Sequence, residues 1–287
     1  MERATGFGAD RLRKWRQRFG FPLMTSTADG KAAYSRLAVD QLLFIKRLLE
    51  AGFQPAQVVG LTTLELEKLI LDLVQSVPVV GSDDVFQAAI DQFQGWGMAG
   101  FQVFLAERRA KGTLTDFVHD TTVPLLTRIG DAFMRNEIGV HHEHLYTACI
   151  ERFLSAEILK LQPKNGFPTI LFALPPQERH CVGLLMSEAV LADAGATTIS
   201  VGADIDLSSL TQAAIACKAD VVALSFSVYY PARDIVPVLR HFRRLLPIQI
   251  QIWAGGRGTA VMRKPPKGVR ILSELNAAVS ALNGVPL

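Results

Sequence analysis

The stretch Thr169-Ile170-Leu171-Phe172-Ala173-Leu174-Pro175-Pro176-Gln177-Glu178-Arg179-His180-Cys181-Val182-Gly183 decides the fold. A short apolar run ends at two prolines, a polar loop holding Glu178 and His180 follows, and helical spacing resumes near Gly183. That order of strand, loop and helix is one βα unit. Downstream, the apolar runs 198–201, 221–226 and 248–253 alternate with helical stretches, which predicts a parallel sheet built from such units. Ligands of these sheets bind beyond the carboxyl ends of the strands. Three loops therefore matter: the one with Glu178 and His180, the one at Ser225-Phe226-Ser227, and the one at Ala254-Gly255-Gly256-Arg257-Gly258.

Upstream of Pro163-Lys164-Asn165-Gly166 the pattern is different. From about residue 63 to 162 there is almost no strand signature, and apolar residues recur at helical spacing, which predicts a helical bundle interrupted around Gly95, Gly97 and Gly100. Before that, residues 11–18 read RLRKWRQR, with Arg11, Arg13, Lys14, Arg16 and Arg18 and no acid among them. Leu12, Trp15 and Phe19 recur at steps of three and four, so a helix here buries those three and presents its cations to solvent. Gly20-Phe21-Pro22 ends it, Asp29-Gly30-Lys31 suits a hairpin tip, Ser35 suits the cap of a second helix running to Ala51 with Gly52 as its stop, and Pro55 opens a short third helix.

With 287 residues, 49% of them hydrophobic and 20% charged, the chain has material for two or three compact units and none of the bias of a disordered or fibrous protein. Cys149, Cys181 and Cys217 are far apart and lack CxxC spacing, so neither a disulfide framework nor a zinc site is expected and a reducing cytoplasm fits best. No signal peptide or membrane span is expected. His141 and His144 share a helical face, but Tyr146 stands where an HExxH from His142 needs its second histidine. A nicotinamide-binding fold is disfavoured because no GxGxxG follows the first strand.

In the loops after the strands, His180 can ligate a metal, with Glu178 as an acceptor for its other nitrogen. Glu178-x-His180-x-x-Gly183, then Ser225-x-Ser227, then Gly255-Gly256, each after its own strand, resembles the cobalamin-binding domain of the methionine-synthase type, with Ser227 where that pattern has leucine. The resemblance implies that His180 is the lower axial cobalt ligand and that Ser225, Ser227, Gly183, Gly255 and Gly256 border the nucleotide tail. Residues 130–144 resemble the four-helix cap of CarH and LitR type cobalamin photoreceptors, whose motif is Trp, nine residues, then Glu-His. Glu143 and His144 match, Phe133 takes the tryptophan position, and Met134 stands where the family has a histidine. The resemblance implies that Phe133, Met134, Glu143 and His144 cover the upper face of the corrin. A thioether is a softer and weaker ligand than imidazole, which bears on any light-adapted state held by two histidines.

Residues 5–22 are similar to a MerR-type winged helix-turn-helix. The similarity implies that Arg11, Arg13, Lys14, Arg16 and Arg18 meet double-stranded operator DNA, with Lys31 and Tyr34 in or beside the wing. The chain starts inside the expected first helix, so a truncated or altered version of that domain is expected. The expectation is then a multi-domain α and α/β protein: a MerR-like winged helix-turn-helix at 1–62, a four-helix-bundle cap at 63–165 and a parallel-sheet, Rossmann-like cobalamin-binding domain at 166–287. The expected function is a non-enzymatic, light-responsive repressor using adenosylcobalamin, cytoplasmic and a homo-oligomer, dimer or tetramer. The alternatives are a corrinoid-carrying methyltransferase subunit, and a regulator of the same fold that senses haem or another tetrapyrrole.

Overall fold

The computed structural model describes residues 5, 7–26, 32–50, 53–74, 82–134, 138–161, 166–262 and 264–285. The chain forms two compact units, Met1–Gln75 with Val228–Asp234, and Ser76–Ser227 with Ile235–Leu287.

In the first unit, α1 (Ala9–Phe19) ends at Gly20, whose left-handed φ of 70° lets its N–H donate to the Arg16 carbonyl. Leu12 and Trp15 are buried as the spacing requires, whereas Phe19 is only half-buried, its ring carrying the Arg18 guanidinium at 5.1 Å. A hairpin follows, β1 (Met24–Ser26) pairing antiparallel with β2 (Ala32–Tyr34). Its tip, with Asp29, Gly30 and Lys31, lies outside the described residues. Ser35 Oγ accepts from the Ala38 N–H at 3.1 Å and so caps α2 (Arg36–Glu50); the expected end at Ala51 and Gly52 lies outside the described residues. The short α3 (Pro55–Val58) and α4 (Thr63–Val74) complete a core in which Leu42, Ile45 and Leu48 meet Trp15, Val58 and Leu66. Val228 and Tyr229 belong to this core, Tyr229 through a 5.2 Å ring contact with Phe44.

The second unit joins helices to a sheet. Its helical part contains α5 (Ser82–Arg109), α6 (Leu114–Phe117), α7 (Val123–Met134) and α8 (Val140–Leu161), with a π-helical turn at Val118–Thr122 between α6 and α7. Of the three glycines in α5, Gly97 carries the interruption, with φ 62° and ψ −146°. No strand occurs between residues 53 and 161 among the described residues.

The sheet comprises β3 (Thr169–Ala173), β4 (Thr197–Gly202), β5 (Val221–Ser225), β6 (Gln251–Gly255) and β7 (Val269–Leu272), all parallel, in the order β4-β3-β5-β6-β7. Helices α9 (Val182–Asp193), α10 (Leu207–Ala216), α11 (Ala232–Leu245) and α12 (Leu275–Leu282) connect or follow the strands. Two features differ from the expectation. The apolar run 248–253 enters the sheet only at Gln251, because Pro247 to Ile250 form a turn whose carbonyls are engaged by Arg243, and Ile248 is left 80% exposed. A fifth strand, β7, was not expected. It is a four-residue edge after Pro265-Pro266-Lys267-Gly268, too short to stand out by periodicity.

Helix α9 belongs to both layers. Leu184 and Leu191 pack on the sheet, while Ala189, Val190 and Ala192 enter the bundle core with Leu125, Ile150 and Leu154. At its far end Asp193 accepts from both the N–H (2.9 Å) and the hydroxyl (2.6 Å) of Thr115, tying α6 to the sheet layer. Hydrogen bonds to a charged acceptor contribute more than neutral ones. Asp193→Ala is therefore expected to lower the unfolding free energy by about 2 kcal/mol, read as an earlier urea midpoint by circular dichroism.

Candidate functional site

The strand order is that of a doubly wound sheet whose winding reverses between β3 and β5, and the crevice beyond that switch point is where such folds bind ligands. The loop after β3 carries Glu178 and His180; the loop after β5 carries Ser227. Glu178 is 2% exposed, a costly place for a carboxylate without partners. Its Oε1 accepts from the N–H of Arg179 (2.8 Å), the N–H of His180 (3.0 Å) and Nδ1 of His180 (2.7 Å); its Oε2 accepts from the N–H of Ser227 (2.9 Å). Burial pushes this carboxyl up, but the bonds from the His180 ring and amide, attraction to His180 and the contact with Ser227 outweigh it and hold it below its ordinary value.

The carboxylate at Nδ1 selects the imidazole tautomer whose Nε2 can act as a metal ligand. Ser227 Oγ lies 3.2 Å from the same Nδ1. The His180 side chain is 54% exposed, so a ring fixed from beneath presents itself at the surface of the crevice. The turn before it is unusual: Glu178 N–H donates to the Pro175 carbonyl, and Gln177 sits at the third position with φ 75°, a left-handed conformation that favours glycine.

Ser225 is buried at the end of β5, 3.5 Å from where a Cβ on Gly183 would stand, so the start of α9 lies close against it. The room left by the missing side chains of Gly255 and Gly256 is taken by backbone rather than by a bound group. Phe226 N–H donates to the Gly255 carbonyl and Gly258 N–H to the Phe226 carbonyl, each at 2.9 Å. A Cβ on Gly256 would stand 2.4 Å from the Phe226 carbonyl oxygen, and one on Gly258 2.4 Å from that of Ser227. The glycines thus bring the loops after β5 and β6 together and hold the Ser227 N–H on Glu178. Gly258 has a role that the sequence reading passed over, although it stood in the same glycine-rich run.

On the helical side, Phe133 is half-buried in the last turn of α7, and Met134 ends that helix with its side chain outside what is described. In α8, Glu143 accepts from the Thr147 hydroxyl (3.0 Å) and pairs with Nδ1 of the exposed His144 (2.6 Å). One further step of four brings Glu151, whose Oε1 accepts from the Cys181 thiol at 3.0 Å. Glu143, Thr147 and Glu151 therefore share a helix face, and Glu143 stands about 12 Å along the axis from the residue that touches the neighbour of His180. His142 lies edge-on to Phe93 (6.1 Å) and against His141 (4.0 Å). No cluster of three or more His, Cys, Asp or Glu suited to a metal occurs among the described residues.

In the first unit, Arg11, Arg13, Lys14 and Arg18 are exposed on α1, and Arg16 is half-buried with its guanidinium against Met24 Sδ. Arg11 lies over the Phe7 ring at 5.8 Å. Arg13 and Lys14 both pair with Asp10, Lys14 at 3.4 Å; such exposed pairs are weak and readily exchanged for another anion. Tyr34 is half-buried at the end of β2, and Lys31 lies outside the described residues.

Two outcomes test this geometry. Gln177→Gly removes the left-handed strain while keeping Glu178 in place, so a gain of about 1 kcal/mol in thermal unfolding is expected. Cys181, pushed up to about 12 by burial and then by Glu151, is expected to resist iodoacetamide at pH near 8 while Cys217 is alkylated, as read by peptide mass spectrometry.

Comparison with known proteins gives three findings. Residues 1–64 match the family model of the MerR HTH family regulatory protein. The chain is 24% identical over 260 residues to the HTH-type transcriptional repressor CarH of Myxococcus xanthus, covering 88% of this chain and 85% of that protein, and 29% identical over 233 residues to the HTH-type transcriptional repressor CarA of the same organism, covering 78% and 74%. Among solved structures, the monomethylamine corrinoid protein of Methanosarcina barkeri shares the fold, with a TM-score of 0.54 at 16% identity, covering 71% of this chain and all of that one.

Proposed function

We propose that this chain, which carries a MerR-type helix-turn-helix domain and is homologous to the CarH and CarA repressors, is a cobalamin-dependent transcriptional repressor. The observation that carries the reading is the His180–Glu178 pair at the switch point, a surface imidazole held at Nδ1 by a buried carboxylate. A corrin fits these residues. His180 Nε2 would serve as the lower axial ligand, Glu178 and Ser227 fix the ring, and Gly183, Ser225, Gly255 and Gly256 form the close-packed border beneath. Glu143 lies about 12 Å along α8 from Glu151, and with Phe133, Met134 and His144 it would cover the face of the group opposite His180.

Adenosylcobalamin as the bound form would supply a photolabile cobalt–carbon bond, which is what makes the regulator light-responsive. The protein's part is to read the state of the upper face. Glu143 sits on α8, which packs directly on α9, the helix that follows His180, and Phe133 sits on α7, whose Leu125, Ile129 and Ala132 share one core with α8 and α9. A change in the lid thus alters the packing of the bundle on the sheet and, through it, the population of assembled forms. A homo-oligomer linking several DNA heads binds an operator by avidity and loses it on dissociation. At each head Arg11, Arg13, Lys14, Arg16 and Arg18 on α1, with Lys31 and Tyr34 of the wing, would meet the duplex.

The likeness to a corrinoid protein also suits a corrinoid-carrying methyltransferase subunit, but such a subunit has no use for a helix-turn-helix domain. Reconstitution separates the readings. The parent is expected to take up adenosylcobalamin in the dark with the absorption of a histidine-ligated corrinoid, to shift its elution volume after green light, and to retard duplex DNA only before illumination. His180→Ala is expected to lose the histidine-ligated spectrum and at least tenfold in affinity. Unchanged spectra in that variant would remove the assignment of His180, and retention on haem but not cobalamin would remove the cofactor.

A further inference from the structure

We propose that the sheet-bearing unit carries a second polyanion-binding surface, built from Arg240, Arg244, Lys264 and Lys267, that holds the phosphate backbone of duplex DNA. The proposal rests on the DNA-binding reading above and extends it to a face that the helix-turn-helix domain does not include.

The charge distribution comes first. Residues 232–270 contain nine lysines and arginines and a single acid, Asp234, although the whole chain carries only +3. The rest of the chain is therefore net acidic. Helix α11 buries Ile235, Leu239 and Phe242 and leaves Arg240, His241 and Arg244 exposed on its other side. Arg240 and Arg244 are four apart, a like-charge spacing that destabilises a helix unless an anion lies across it. Among the described residues, neither of them, nor Lys264 or Lys267, forms an ion pair.

The neighbouring cations are brought in by Arg243. Its guanidinium donates to the carbonyls of Leu246 (2.8 Å), Pro247 (2.6 Å) and Ile250 (2.8 Å), which fixes the end of α11 on the turn before β6. Its Cδ lies 3.0 Å from where a Cβ on Gly268 would stand, so the turn before β7, with exposed Lys267, lies against the same helix. Lys264 is exposed three residues earlier. All of this is at the amino ends of β6 and β7, the opposite end of the sheet from His180. An arginine-rich surface suits phosphate oxygens through forked hydrogen bonds. A lipid surface suits it less, because the apolar side of α11 is buried in its own unit and, among the described residues, only Leu245 and Ile248 are large apolar side chains exposed beside the cations.

The test uses the full chain and a fluorescent duplex of arbitrary sequence, titrated at several salt concentrations. The triple variant Arg240→Gln, Arg244→Gln, Lys267→Gln is expected to lower the slope of log affinity against log salt by about 2 to 3, with at least a tenfold loss at low salt, while its thermal melt and cobalamin spectrum stay those of the parent. The head variant Arg13→Gln, Lys14→Gln is expected to keep residual binding that disappears when the two sets are combined. An unchanged slope in the triple variant, with binding lost in the head variant, overturns the second surface and leaves the regulator reading intact. No duplex binding by the parent overturns both. Sedimentation of the parent with phosphatidylglycerol vesicles, lost in the triple variant while the DNA slope holds, assigns the surface to lipid and overturns the proposal.

Discussion

A carboxylate buried to within 2% of its surface has to be met by donors, and the way Glu178 is met organises the site. The donors come from two loops, Arg179 and His180 from its own and Ser227 from the one after β5. That is possible only because β5 pairs directly with β3. Ser227 is in turn held by the Phe226 backbone, pinned between the Gly255 carbonyl and the Gly258 N–H, where any side chain larger than hydrogen at Gly256 or Gly258 would collide. The orientation of His180 is thus the last link in a series that starts at the glycines beyond β6. A deprotonated Glu178 is part of that series, and the hydrogen bonds that hold its carboxyl below the usual value also fix the ring.

The second unit has no seam between helices and sheet where the site lies. Helix α9 starts one residue after Cys181, packs Leu184 and Leu191 on the strands and gives Ala189, Val190 and Ala192 to the bundle core. The Cys181 thiol reaches Glu151 on α8, so the loop that carries His180 and the helix that carries Glu143 are directly bonded. Close-packed interiors respond to a displaced helix by switching arrangement rather than by yielding smoothly. A group lodged between the His180 loop and α8 acts on that packing without any long path.

Positive charge is distributed to match. The exposed cations of α1 are tempered by Asp10, whose weak surface pairs with Arg13 and Lys14 an arriving phosphate can replace. Among the described residues Arg240 and Arg244 near the end of α11 form no ion pair, and beside them Arg243 takes a structural task, its guanidinium committed to three carbonyls.

The amino-acid sequence by itself determined whatever depends on neighbours in the chain. The βα unit around Thr169 to Gly183, the caps at Gly20 and Ser35, the kink near Gly97 and the basic, amphipathic α1 all follow from local spacing and from residues suited to particular backbone angles. The proximity of Glu178 to His180, two residues apart, belongs to this class. Only the tertiary structure decided the contacts between distant segments: the bond from Ser227 to Glu178 across 49 residues, the thiol of Cys181 on Glu151, and the backbone filling the space above Gly256 and Gly258. The start of β6 is of the same kind. The apolar run from Ile248 reads as strand, but Arg243 engages the Pro247 and Ile250 carbonyls and delays pairing to Gln251. Such contacts leave no periodic trace in the sequence, because the partners are set by strand order and packing, which no single window of residues contains.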